Sequence, residues 1–319
     1  MELALMIEGQ EGVTWDDWCA LAAACEEHGV GTLFRSDHYV SQGDEDANVA
    51  HDAWTTLAAL AARTTTLRLG TLVSPATFRP PALLANAAAT ADCVSGGRIE
   101  LGLGAGWMER EHRAFGFPFP ETRERVEMFA EQLEIVHRLW TEPRVSFRGR
   151  HYVLEDAPGL PKPVQKPRPP LLAGGSGGRG TAEPAARFAD EYNTPFASPA
   201  GFAEIRARVA AACERVGRDP ATMRCSVMTG LLVGATREEA LARARELYGR
   251  RPRETSFDDW LAGYAERAIV GSVDEVAARL REYAAAGCDR VMLQHLLHRD
   301  LEPVRLLGRE LAPALASRP

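Results

Sequence analysis

A closed (β/α)8 barrel, the TIM-barrel fold, is what the sequence predicts, on three observations. Short apolar runs alternate with helical stretches eight times along the chain. Such alternation builds a parallel sheet, and eight units can close it into a barrel. The length of 319 residues suits one barrel with an insertion, and the balance of 45% hydrophobic to 25% charged residues suits a large core. An open, doubly wound sheet of eight strands remains the rival arrangement.

The units follow in order. Glu2–Ile7 is the first apolar run; Thr14 and Asp17 form a capping box for the next helix, and Gly29 closes it. Residues 32–36 are the second strand, ahead of a helix over Ala53–Arg63. Residues 67–73 are the third strand, and Pro80-Pro81 opens the helix after it. Residues 98–102 are the fourth strand, and 121–140 a long amphipathic helix. The segment 141–170 breaks the rhythm: a hairpin around Arg148-Gly149-Arg150, then a proline-rich stretch, reads as an insertion lying on the barrel. Strands at 171–173, 191–193, 223–233 and Arg290–Gln294 complete the eight, and the last helix spans 301–315. Residues 257–266 read as an extra helix, and Ser272 with Glu275 caps the helix that ends at Gly287.

Composition narrows the partners. With 37 basic residues against 44 acidic ones, a net charge of −7 and no dense Lys/Arg run, nucleic acid is not an expected partner. No apolar stretch reaches the ~20 residues of a membrane span. Residues 1–10 carry two glutamates and no basic residue, so they read as a strand, not a secretory leader. Six cysteines form no C-x-x-C pair; a reducing, cytoplasmic setting is expected, with no metal site.

In a barrel, function gathers on the loops after the strands. The second strand leads into Ser36-Asp37-His38-Tyr39, an acid and a proton carrier side by side or a loop bonding its own backbone. The third leads into Leu72-Val73-Ser74, an apolar wall for a flat ring or ordinary core. The fourth leads into Gly102-Leu103-Gly104-Ala105-Gly106-Trp107 with Glu109 and Glu111 behind it; the glycines let backbone approach a ligand or make a tight turn. The fifth leads into Gly174-Gly175-Ser176-Gly177-Gly178, whose free N–H groups suit phosphate. Gly175 to Gly180 also fits the dinucleotide pattern G-x-G-x-x-G, but mid-chain and without an acid at the required distance. The eighth leads into Gln294-His295, where barrels often hold phosphate, although a lone histidine reads equally as core.

Together these motifs resemble the bacterial-luciferase-like oxidoreductases, most of all their branch that uses the deazaflavin coenzyme F420. The carriers are Asp37-His38, Leu69 to Val73 with Thr77-Phe78-Arg79, Arg98 to Trp107, Gly174 to Gly177, and Gly271 to Val276. The resemblance implies a flavin-like ring at the barrel mouth and a cis peptide at Leu72–Val73 against it. It also implies catalytic roles for Asp37 and His38, and cofactor contacts from these two, Leu72, Val73, Ser74, Gly106, Trp107 and the loop Gly174, Gly175, Ser176, Gly177, Gly178. Trp107, Glu109, Glu111 and His295 are the candidate substrate contacts. Trp107 stands where related deazaflavin enzymes often carry a carboxylate, and the loop lacks the basic cluster a sugar phosphate needs. The expected activity is hydride transfer between the deazaflavin and a small organic substrate, in a homodimer served by a separate cofactor-reducing enzyme. The alternatives are a two-component monooxygenase using FMN, or a non-catalytic paralogue that has lost its cofactor. The segments 141–169 and 251–266 are expected to shape the pocket lid.

Overall fold

The computed structural model describes residues 1–43, 49–250 and 254–316. Its strands are β1 (Glu2–Ile7), β2 (Thr32–Arg35), β3 (Arg68–Thr71), β4 (Ser74–Pro75), β5 (Ile99–Gly104), β6 (Arg144–Arg148), β7 (Val153–Pro158), β8 (Leu171–Gly174), β9 (Glu191–Pro195), β10 (Arg224–Gly234), β11 (Ala268–Ser272) and β12 (Arg290–Gln294). Parallel pairing runs β1-β2-β3-β5-β8-β9-β10-β12 and returns from β12 to β1, so the sheet closes on itself. That closure excludes the open sheet.

The two-residue period of a strand sorts the core into two shells. Along β1, Leu3, Leu5 and Ile7 face outward and join the main core with Trp18, Leu21 and Leu60. Ala4 and Met6 face inward and meet Phe34, Leu172, Met228 and Met292 in the barrel interior. The surrounding helices include α1 (Trp15–His28), α2 (Ala53–Arg63), α3 (Pro81–Ser95), α4 (Glu109–Phe115), α5 (Thr122–Thr141), α6 (Arg179–Phe188), α7 (Pro199–Arg215), α8 (Arg237–Gly249), α9 (Phe257–Ala265) and α10 (Val273–Ala285). The capping boxes on α1 and α10 form as the sequence predicts, and α1 stops at Gly29 with φ 81. No helix among the described residues is long and apolar enough to cross a membrane.

Three features differ from the sequence reading. The third strand is not continuous to residue 73: it ends at Thr71, and β4 resumes pairing with β5 beyond the Leu72–Val73 peptide, which is cis as the resemblance implies. β10 is long enough to serve three neighbours; its first half pairs with β9 and β12 in the barrel, and Gly230 to Gly234 pairs with the unforeseen strand β11. The helix α4, after the fourth barrel strand, was also not foreseen. The hairpin of β6 and β7 lies along α5, where Glu131 accepts backbone N–H bonds from Arg150, His151 and Tyr152.

Candidate active site

The loop after β2 presents His38 at the C-terminal mouth. Its Nδ1 lies 2.8 Å from Oε2 of Glu111, which is fully buried on α4. An ionised carboxylate can only accept, so Nδ1 carries the hydrogen and Nε2 is left to titrate. The other oxygen of Glu111 accepts the backbone N–H of Tyr39, and that of Val40 at 3.2 Å. One carboxylate therefore fixes both the ring and the loop that carries it. Burial pushes the His38 pKa down, but the Glu111 hydrogen bond and charge, with the charges of Glu8 and Asp37, raise it overall. A raised folded value means that the pair adds stability below the free-imidazole value of 6.5 and loses it as pH rises through the folded value. Glu111→Gln is expected to lower the His38 pKa and move that stability loss to lower pH. Titration of the His38 ring signals by NMR checks this, and an unmoved midpoint would contradict it.

Glu111 is thus a correction to the sequence reading: it is spent on His38 and its loop, not offered to substrate. Glu109 is exposed and pairs with Arg113 at 2.7 Å. Trp107 is 61% exposed at the mouth, and its ring meets His38 edge-on at 5.7 Å.

Asp37 does not orient its neighbour. Its Oδ2 accepts from Ser74 Oγ and from Arg79 Nη1, each at 2.6 Å. Arg79 also reaches Asp52 at 2.5 Å and the Tyr39 hydroxyl at 2.7 Å. Ser74 in turn accepts from Trp54 Nε1 at 3.1 Å. Asp37 and Ser74 are both buried and committed inside this network, so they brace the His38 loop from behind. Arg79, the centre of the brace, was visible in sequence only as a family-type motif.

Val73 explains most of the glycines around it. A Cβ on Gly104 would lie 2.5 Å from its Cγ2, and one on Gly174 would lie 3.2 Å from both its methyls. A Cβ on Gly102 would meet the Thr71 carbonyl oxygen at 2.2 Å. These positions are glycine because the β3–β4 backbone and the Val73 side chain occupy the space. Gly106, with φ 82, sits against Thr77 and His112. The loops bearing His38, Val73, Gly106 and Gly174 therefore meet at one mouth.

The glycine loop after β8 runs directly into the N-terminus of α6. The Gly177 N–H donates to the Tyr192 hydroxyl at 2.9 Å and fixes the turn. Gly178 caps α6 without a side-chain hydrogen bond, and its carbonyl oxygen accepts the Thr181 N–H at 3.0 Å. Arg208 lies beside the loop, 3.3 Å from the Ser176 carbonyl oxygen.

The remaining predicted contact, His295, is buried, and its ring nitrogen Nε2 lies 2.8 Å from the Asp300 carbonyl oxygen. Burial pushes its pKa down to about 4, so it is neutral at working pH. Its neighbours Gln294 and His298 line the mouth instead. Of the two expected lid segments, the hairpin backs α5, whereas Trp260 and Tyr264 of α9 line the cleft. Residues 251–253 of the second segment lie outside the described residues.

Fold and mouth define a (β/α)8 barrel of the enzyme type, with its polar groups on the loops after the strands. The family model described as luciferase-like monooxygenase matches residues 3–290. The chain belongs to that family. It is 39% identical to an F420-dependent glucose-6-phosphate dehydrogenase of Kineococcus radiotolerans over 172 residues, 54% of this chain and 50% of that protein. The match thus spans about half the length of that relative. It is 28% identical to an FMNH2-dependent dimethylsulfone monooxygenase of Pseudomonas putida over 295 residues, 84% of this chain and 79% of that protein. In fold it resembles the coenzyme F420 dependent tetrahydromethanopterin reductase of Methanopyrus kandleri, with TM-score 0.81, 19% identity, and coverage of 99% of this chain and 100% of that one.

Proposed function

We propose that this protein is a deazaflavin-dependent oxidoreductase that uses coenzyme F420 on a small organic substrate. The observation that carries the reading is the pairing, at one mouth, of a histidine locked by a buried carboxylate with a glycine loop that opens onto a helix N-terminus. The residues fit such a group. Ser176 to Gly180 and the first turn of α6 would hold its phosphate. Leu72 and Val73 would back the ring, with His38 and Trp107 at its edge. When bound, the deazaflavin supplies two-electron hydride transfer. The protein orients the reactants, excludes water, and exchanges a proton with substrate at Nε2 of His38. Glu111 sets the tautomer for that exchange, and Asp37 with Arg79 holds the loop in place.

A second reading is a two-component FMN monooxygenase supplied by a separate reductase. What keeps it open is that the Pseudomonas putida relative aligns over 84% of this chain at 28% identity; an F420-dependent relative of Rhodococcus jostii aligns over 92% at 29%. The free cysteines fit a reducing, cytoplasmic setting for either. Fluorescence titration of the purified chain with each cofactor separates them. F420 is expected to bind at least about tenfold more tightly than FMN, a difference of about 1.4 kcal/mol. A preference for FMN overturns the first reading, and binding of neither points to a paralogue without cofactor.

A further inference from the structure

The mouth carries a second set of groups that neither His38 nor the glycine loop uses. A cleft of about 610 Å³ lies on its β1, β10 and β12 side, lined among others by Glu8, Phe196, Trp260, Tyr264, Arg267 and Leu296. His38 and Val73 are not part of its lining, but Glu8, which is, acts electrostatically on His38.

Three observations give this cleft a chemistry. Tyr264 is only 7% exposed, yet among the described residues its hydroxyl has no hydrogen-bond partner. Buried hydroxyls are normally satisfied, so an orphan on a cleft wall marks a place for a ligand acceptor. Burial pushes its pKa up to about 12, so it remains a donor at working pH. A Cβ on Gly230 would come within 2.9 Å of that oxygen, so glycine there leaves the hydroxyl its position. Phe196 is 39% exposed and held at φ 54, a conformation rare for a bulky residue, with its N–H bonded to the Met228 carbonyl at 2.7 Å. Its ring is thus presented to the cleft, which Trp260 and Tyr264, stacked at 5.0 Å, wall with two more aromatics. Arg267 is exposed and has no carboxylate partner among the described residues, while Arg250 pairs with Glu246 and Arg299 with Asp17.

We propose that the cleft is the substrate pocket and selects a flat aromatic compound bearing one carboxylate, its ring against the aromatic lining and its oxygens on the Tyr264 hydroxyl and Arg267. One guanidinium without a carboxylate partner among the described residues, held 6.0 Å over the Tyr264 ring, matches a single negative charge; a phosphate dianion calls for several cationic donors. The proposal rests on the oxidoreductase reading only in calling the bound compound a substrate.

Isothermal titration with 2-naphthoate, on the F420-loaded and F420-free chain, tests it. Naphthoate is expected to bind about tenfold more tightly than 2-naphthamide, as a charge-assisted contact implies. Arg267→Gln should abolish that preference. Tyr264→Phe should weaken naphthoate roughly fivefold or more without lowering Tm, because the hydroxyl leaves no protein partner behind. Failure of naphthoate to bind a chain that does bind F420, affinity indifferent to both variants, or tighter binding of glucose 6-phosphate would each overturn the pocket assignment. Failure of F420 to bind would instead remove the cofactor reading, and the F420-free titration would still decide the pocket.

Discussion

Replacing His38 with alanine is expected to leave F420 affinity nearly unchanged and to reduce turnover by roughly 10²–10⁴-fold, the usual contribution of a positioned general acid or base. The separation follows from the site. Phosphate binding is assigned to the loop after β8, whereas His38 stands at the ring edge, held by Glu111. Truncation also leaves the Glu111 carboxylate with two backbone donors, Tyr39 and Val40, so the loop keeps part of its anchoring. Fluorescence titration and steady-state kinetics on the same preparation measure both quantities. Unchanged turnover would remove His38 from the mechanism; parallel loss of binding and turnover would make it a cofactor ligand instead.

The largest effect on stability is expected at the opposite end of the barrel. Arg290 is 1% exposed and donates to Glu100 at 2.7 Å and Glu191 at 2.6 Å, with Glu2 at 3.3 Å. Its guanidinium also lies 4.9 Å from the Phe34 ring centre, so it closes the floor of the barrel. Arg290→Ala strands the buried Glu191 and leaves the buried Glu100 with Arg68 alone, at 2.7 Å, and is expected to cost about 3–5 kcal/mol. For a chain of this size that corresponds to a fall in Tm on the order of 10 °C. Burial drives the pKa of each glutamate up, and Arg290 opposes this in both; with Arg68 it holds Glu100 below the usual range, while Glu191 stays above it. Without the arginine, both folded values move up. The variant therefore loses most stability above the carboxylate range and recovers some as pH falls. Replacing Arg290, Glu100 and Glu191 together with apolar residues should restore stability. Calorimetry across pH decides: a near-neutral single substitution would show that the cluster is solvated.

The barrel was legible in sequence because its evidence is periodic and local. Glu2–Ile7 and Arg290–Gln294 are short apolar runs, and Thr14 and Ser272 announce their helices with capping boxes. β11 was missed because Ala268–Ser272 is brief and its last residue is also the N-cap of α10. The seven-residue α4 was missed because it is polar, though Gly116 at φ 69 closes it as a C-terminal signal. The site was less legible for a different reason. Glu111 meets His38 across 73 residues, and Arg79 meets Asp37 across 42, distances that no spacing rule spans. The glycines of β5 carried a signal whose cause was misread. In sequence they read as room for a ligand or as a tight turn, whereas Gly102 and Gly104 make room for the Thr71 backbone and for Val73. Tyr264 lay in a helix that was foreseen, but nothing in the helical pattern shows that its hydroxyl lacks a partner.

A crystal structure of the chain with oxidised F420 bound bears most directly on the site. The ring should lie in the mouth between the Leu72–Val73 peptide and His38, with the phosphate on the N–H groups of the 176–180 loop. A ring bound away from His38 and Val73, or a phosphate held elsewhere on the molecule, would contradict the convergence of these loops on one cofactor.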